Sequence, residues 1–276
     1  MWGVFTLRCF QKGAGVPQLE TGRRVVLESE NVRVIRTEGT RTDVVFVTFE
    51  PHVLNKDPKR QAFAEKFLRD NGFTAYHFFA NDNFWFQYPE MEEVLATVRA
   101  DIAPGVEVVA YAVSMGAYAA IRFAGRLGVS RILAFSPQYS IDPKVVPWDR
   151  RWDGLFDRPR QILWEHLMVP RGVPVYLFYD PHNRDRRHVR LYARVADVVR
   201  VRVPYAGHGS ITVLMQTGLL GKAVLAIGEN RFDAAAFERE LAPRLDHSAF
   251  YRDKRARKRG RLFRRIIADI VDRFRL

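Results

Sequence analysis

Residues 106–127 read VEVVAYAVSMGAYAAIRFAGRL, and this stretch decides the architecture. Its first part, 106–113, is an apolar, β-branched run with the character of a strand buried on both faces. Its last part, 117–127, is rich in small residues and has helical character. Between them stands Ala112-Val113-Ser114-Met115-Gly116. A serine on a sharp strand-to-helix turn, with glycine two residues later, is pushed out at the end of a sheet as a nucleophile. The pattern is the elbow G-x-S-x-G with alanine at its first position. Small residues are needed because the turn is tight, and a bulky side chain at 112 or 116 would strike the neighbouring strand or helix.

The surrounding sequence repeats this alternation. Strands are predicted at 4–10, 25–28, 32–36, 43–49, 73–79, 106–113, 131–135, 173–179 and 199–203. Helices are predicted at 58–71, 90–102, 117–127 and 188–196. The regular alternation from 43 to 203 predicts an α/β fold, a mostly parallel sheet with helices on both faces. Residues 137–172 interrupt the rhythm with five prolines and three tryptophans and are read as an insertion, a candidate lid. Residues 1–251 are expected to form a single domain.

The chain has 276 residues and a net charge of +13, of which the segment 252–276 carries +8. The body is therefore only mildly basic, and nucleic acid is not an expected partner. Within the tail, 252–261 is polybasic, and 262–276 has apolar residues at helical spacing. A basic amphipathic C-terminal helix is predicted. It would either dock on an anionic membrane surface or an acidic protein, or pack on the domain. The sole cysteine, Cys9, allows no intramolecular disulfide. No apolar run reaches the about 20 residues that span a bilayer, and the N-terminus lacks the order of a secretion signal. A cytoplasmic protein, in peripheral contact with a membrane if the tail docks there, is expected. No metal-ligand spacing or cofactor motif is present, so neither group is expected.

Chemistry enters through chain order. After Ser114, the loop following strand 173–179 carries Asp180 and Asp185, and the loop following strand 199–203 carries His208 between two glycines. Asp180 has an alternative role as a turn starter before proline, and Asp185 as a helix cap. Both acids stay candidates, with Asp180 preferred. Ser, then Asp, then His, each just past a strand, is the order of a hydrolytic triad. From about residue 43 to 220 the chain resembles the α/β-hydrolase superfamily, with no subfamily singled out. The resemblance implies a serine-dependent acyl hydrolase or acyltransferase. Ser114 would be its nucleophile, His208 its base and one of the two aspartates its orienting acid. It also implies backbone donors to the oxyanion on Met115 and on Phe49 or Glu50. Phe49 is preferred, because an inward Glu50 carboxylate would oppose the oxyanion, so Glu50 is expected to point out.

Two further positions are substrate-contact candidates. Gln138 follows the strand after the elbow helix, at the same sheet edge as Ser114. Trp85 lies in the aromatic run Phe84, Trp85, Phe86 and Tyr88, for which core packing is the plainer reading. The alternative for the whole chain is a noncatalytic accessory or binding protein that keeps a hydrolase-like fold and is docked by its tail.

Overall fold

A computed structural model describes residues 22–151, 162–258 and 260. Its strands are β1 (Arg23–Glu28), β2 (Val32–Thr37), β3 (Val44–Phe49), β4 (Thr74–Ala80), β5 (Glu107–Val113), β6 (Arg131–Phe135), β7 (Pro174–Tyr179) and β8 (Asp197–Arg202). They form one sheet in the order β1-β2-β4-β3-β5-β6-β7-β8. β2 runs antiparallel to both β1 and β4, while β3 to β8 are parallel. The helices are α1 (Glu65–Asp70), α2 (Met91–Asp101), α3 (Met115–Leu127), α4 (Asp185–Tyr192), α5 (Ser210–Gln216), α6 (Leu220–Gly228) and α7 (Ala234–Leu241).

The double-sided apolar strands are explained by two cores. Val108, Ala110 and Ala112 of β5 join the cluster that includes α2 and α3. Val109 and Tyr111 join the cluster that includes α5, α6 and α7. Every residue from Val108 to Ala112 is buried. A strand so placed loses stability through any polar substitution on either face.

Several expectations need adjustment. The helix expected at 58–71 is only α1, because Ala64 takes a left-handed φ of 62° immediately before it. Arg60, expected in that helix, instead holds the Glu50 carboxylate. The helix expected at 188–196 starts earlier, at Asp185, and ends at Tyr192. Helices α5 to α7 were not read from the sequence. The expected strand at 4–10 and the tail from 261 onward lie outside the described residues.

The described parts of the insertion contain no helix or strand. Both of its ends are tied to the sheet's helical face. Glu165 accepts hydrogen bonds from the Ile141 amide (2.7 Å) and the Ser140 hydroxyl (2.7 Å). Gln87 Oε1 accepts from the amides of Leu163 and Trp164. Arg122 of α3 donates to the carbonyls of Leu167 and Tyr139.

Candidate active site

β5 delivers Ser114 to the carboxyl-end edge of the parallel sheet. Ser114 has φ 54° and ψ −120°, a conformation that L-residues rarely adopt, at a cost of about 1–3 kcal/mol. Its neighbours hold it there. The Ser114 amide donates to the Phe135 carbonyl at 2.9 Å, and its carbonyl accepts from the Tyr118 amide at 3.0 Å. Glycine at 116 is required by packing, since a Cβ there would lie 2.2 Å from the Phe49 carbonyl oxygen. The elbow helix thus sits directly against the end of β3. Alanine is accommodated at 112, where it is fully buried.

His208 comes from the loop after β8 and meets Ser114. Its Nε2 is 2.9 Å from Ser114 Oγ, and its Nδ1 is 2.9 Å from Asp185 Oδ2. A carboxylate only accepts, so the bond to Asp185 assigns the imidazole proton to Nδ1 and leaves Nε2 facing the serine hydroxyl. Asp185 is wholly buried, while His208 is 31% exposed. Burial alone would raise the Asp185 pKa. The hydrogen bond from His208 and the charges of His208 and Arg151 outweigh it and hold the carboxyl below the usual range.

Asp180, the preferred acid in the sequence reading, is not at His208. Its Oδ1 accepts the amides of His182 (2.8 Å) and Tyr205 (3.1 Å), and its Oδ2 accepts the amide of Gly207 (2.8 Å). It therefore clamps the loop that carries His208, in which Tyr205 and Gly207 both have positive φ. A chain position just past a strand suits either task, and only the direction of the side chain separates them.

The expected oxyanion donors divide. Met115 is the first residue of α3, where an amide has no intrahelical partner. Phe49 is different. It is the last residue of β3, fully buried, and paired with Phe78 on one side and Ala112 on the other. Its amide lies within the sheet and not beyond the edge. The Glu50 amide donates to the Phe78 carbonyl at 3.0 Å. The Glu50 side chain, expected to point out, is 6% exposed. Lys56 and Arg60 neutralise it.

The two substrate-contact candidates are also placed differently from expectation. Gln138 is fully buried. Its Nε2 donates to the Ser136 carbonyl, and its backbone carbonyl accepts from the Tyr192 hydroxyl. Trp85 is fully buried against Tyr118, with ring planes at 89°. Both are buried in the interior.

The sequence reading missed Arg151, Asp149 and His188. Arg151 Nη1 donates to Asp185 Oδ1 at 2.7 Å. Its Nε and Nη2 reach the two oxygens of Asp149 at 2.7 and 2.6 Å. His188 Nε2 donates to Asp149 at 2.7 Å. Burial opposes the Arg151 charge, but the two carboxylates hold its pKa well above the ordinary arginine value. Burial likewise opposes the Asp149 charge, but Arg151 and His188 draw its carboxyl far below the usual range. No sequence spacing pointed to this group, which spans 39 residues between Asp149 and His188. Among the described residues, no three His, Cys, Asp or Glu side chains gather as a metal site.

The helix 249–258 borders the same loop. Tyr251 is buried against the ring of Tyr205, and Lys258 Nζ donates to the His182 carbonyl at 3.2 Å. The first part of the basic tail is therefore packed on the domain.

No family model and no curated protein matches the sequence. Solved structures do match. The capsule O-acetyltransferase of Neisseria meningitidis serogroup A aligns with 78% of this chain and 97% of its own, at 11% identity and a TM-score of 0.53. Its likeness accompanies a strand order in which β2 alone runs against the parallel strands, with the serine elbow between β5 and α3. The chain has the α/β-hydrolase fold. Other structures similar to it include an α/β serine hydrolase without lid from Xanthomonas campestris, with 17% identity, coverage of 78% and 97%, and TM-score 0.45. Esterase 2 of Thermogutta terrifontis has 11% identity, coverage of 79% and 98%, and TM-score 0.47. In this α/β-hydrolase fold, Ser114, Asp185 and His208 follow β5, β7 and β8 and converge at one sheet edge.

Proposed function

We propose that the protein is a serine-dependent acyl hydrolase or acyltransferase acting on an ester or related acyl substrate. One observation carries this reading. An unbroken chain of contacts at 2.9 Å each runs from Ser114 Oγ through His208 to Asp185. The O-acetyltransferase among the similar structures is the reason transfer to an acceptor hydroxyl stands beside hydrolysis.

The geometry supports the following sequence. Ser114 Oγ bonds to the acyl carbon as its proton passes to His208 Nε2. The Met115 amide donates to the resulting oxyanion. The bond to the leaving group then breaks, and Nε2 gives the proton to the departing alcohol or amine. Water or an acceptor hydroxyl attacks the acyl-serine and gives its own proton to Nε2. The bond to Oγ breaks, and the proton returns to Ser114. Asp185 stays ionised and stabilises the imidazolium in both halves.

A panel of short-chain aryl and alkyl esters tests this. Wild-type protein is expected to turn over at least one, and Ser114→Ala to lose about a thousandfold or more in kcat. A second reading, a noncatalytic binding protein, draws on the Glu50 amide being committed to Phe78. Folded wild-type protein without turnover across the panel would favour it. For the tail 252–276 we propose contact with an anionic membrane surface or an acidic protein, on the ground of its +8 charge.

A further inference from the structure

Arg151 stands outside the Ser114–His208 contact, yet its guanidinium sits on the acid. Asp185 gives one oxygen to each neighbour, with Oδ2 facing His208 Nδ1 and Oδ1 taking Arg151 Nη1. Nη1 is also 3.4 Å from His208 Nδ1. With the imidazole proton on Nδ1, both atoms are donors, so this approach is repulsive and not a bond. The rest of the guanidinium fork is matched to Asp149, whose other partner is His188 Nε2. His188 Nδ1 accepts the Tyr139 amide at 2.9 Å, which leaves Nε2 as the ring nitrogen that donates to Asp149.

The charges facing this group come from several elements. Arg151 and Asp149 belong to the insertion, and Asp185 and His188 to α4. Asp180, on the loop after β7, clamps the His208 loop through the amides of Tyr205 and Gly207. Lys254 and Lys258 lie on the far side of that loop, near Gly207 and Tyr205. Among the described residues, only Arg151 places a permanent positive charge on the triad-type carboxylate itself. An imidazolium formed at His208 would meet a carboxylate whose charge is already shared. Asp149 moderates the effect by taking part of the guanidinium charge away.

We propose that Arg151 is a positioning residue through which the insertion fixes the Asp185 carboxylate and sets how readily His208 carries a proton. This rests on the serine acyl-transfer reading. Two variants test it with opposite signs. Arg151→Met removes the cation and leaves Asp185 its whole charge, so protonated His208 should persist to higher pH. The acid limb of kcat/KM against pH should then rise by about one pH unit. Asp149→Asn removes one carboxylate from the cation, so the limb should move down by about half a unit. Arg151→Lys, which keeps the charge, should restore most of the wild-type position.

Limbs that stay put in both variants, or that move in the same direction, would overturn the proposal, since a purely structural contact has no reason to give opposite shifts. Should Arg151→Met fail to fold, the downward shift in Asp149→Asn still decides. Failure of the underlying reading looks different, because wild-type protein then shows no turnover at all. The coupling is then read from the NMR titration of the His208 ring in the same variants. The same pair of opposite shifts is expected there, and their absence rejects it.

Discussion

The candidate site depends on where two aspartates point. Asp185 faces His208, whereas Asp180 accepts three backbone amides and holds the loop in place. Their substitutions should therefore fail differently. Asp185→Asn is expected to lower kcat by about 10³–10⁴-fold in protein that still folds. Asp180→Ala leaves three partly buried amides without their acceptor and should cost about 1–3 kcal/mol of stability. Ester kinetics and chemical denaturation of the two variants check this, and the reverse pattern would return Asp180 to the relay. Ser114 and His208 were legible in the sequence because small and glycine neighbours mark the turns that expose them. The acid was not, since Asp-Pro and a helix-starting Asp are both ordinary local signals. Arg151 left no trace, because it lies in a segment without regular structure and its partner Asp185 is 34 residues away along the chain.

At the level of elements, β2, β4 and β3 are joined by one buried imidazole. His77 of β4 contacts Thr48 of β3 through Nδ1 at 2.7 Å and Thr37 of β2 through Nε2 at 3.1 Å. Burial, with a smaller effect of the Arg23 charge, pushes its pKa from 6.5 down to about 3. The unfolded chain then binds a proton more readily than the folded one between those values. Stability is full above pH 6.5 and falls as the pH drops towards 3, by up to about 1.4 kcal/mol per pH unit. His77→Gln should flatten this part of the stability profile in urea titrations, and an unchanged slope would remove His77 as its cause. The alternation of strands and helices was readable because the parallel strands β3, β5, β6 and β7 are apolar and buried on both faces. The shortness of α1 was not, because it follows from the left-handed Ala64 and from the pull of Glu50 on Arg60.

Over the whole molecule, local pattern foretold the layers but not the strand order. That β4 lies between β2 and β3 follows from crossover connections and burial on two faces, which no single segment records. The distribution of charge was plain in the sequence, but the packing of helix 249–258 on the His208 loop was not. Among the described residues, no single helix is long and apolar enough to cross a membrane. Removing residues 259–276 should leave Tm unchanged, because Tyr251 keeps its buried position, and should abolish co-sedimentation with anionic vesicles. Co-sedimentation that survives the deletion rejects a membrane role for that segment.

The proposed role of Ser114 is that of a nucleophile activated by His208 and Asp185. Its most direct test is intact-protein and peptide mass spectrometry after exposure to a fluorophosphonate. A single adduct on Ser114 is expected in the wild-type protein, sharply slowed labelling in Asp185→Asn, and none in Ser114→Ala. Folded wild-type protein that takes no adduct at Ser114 would contradict it.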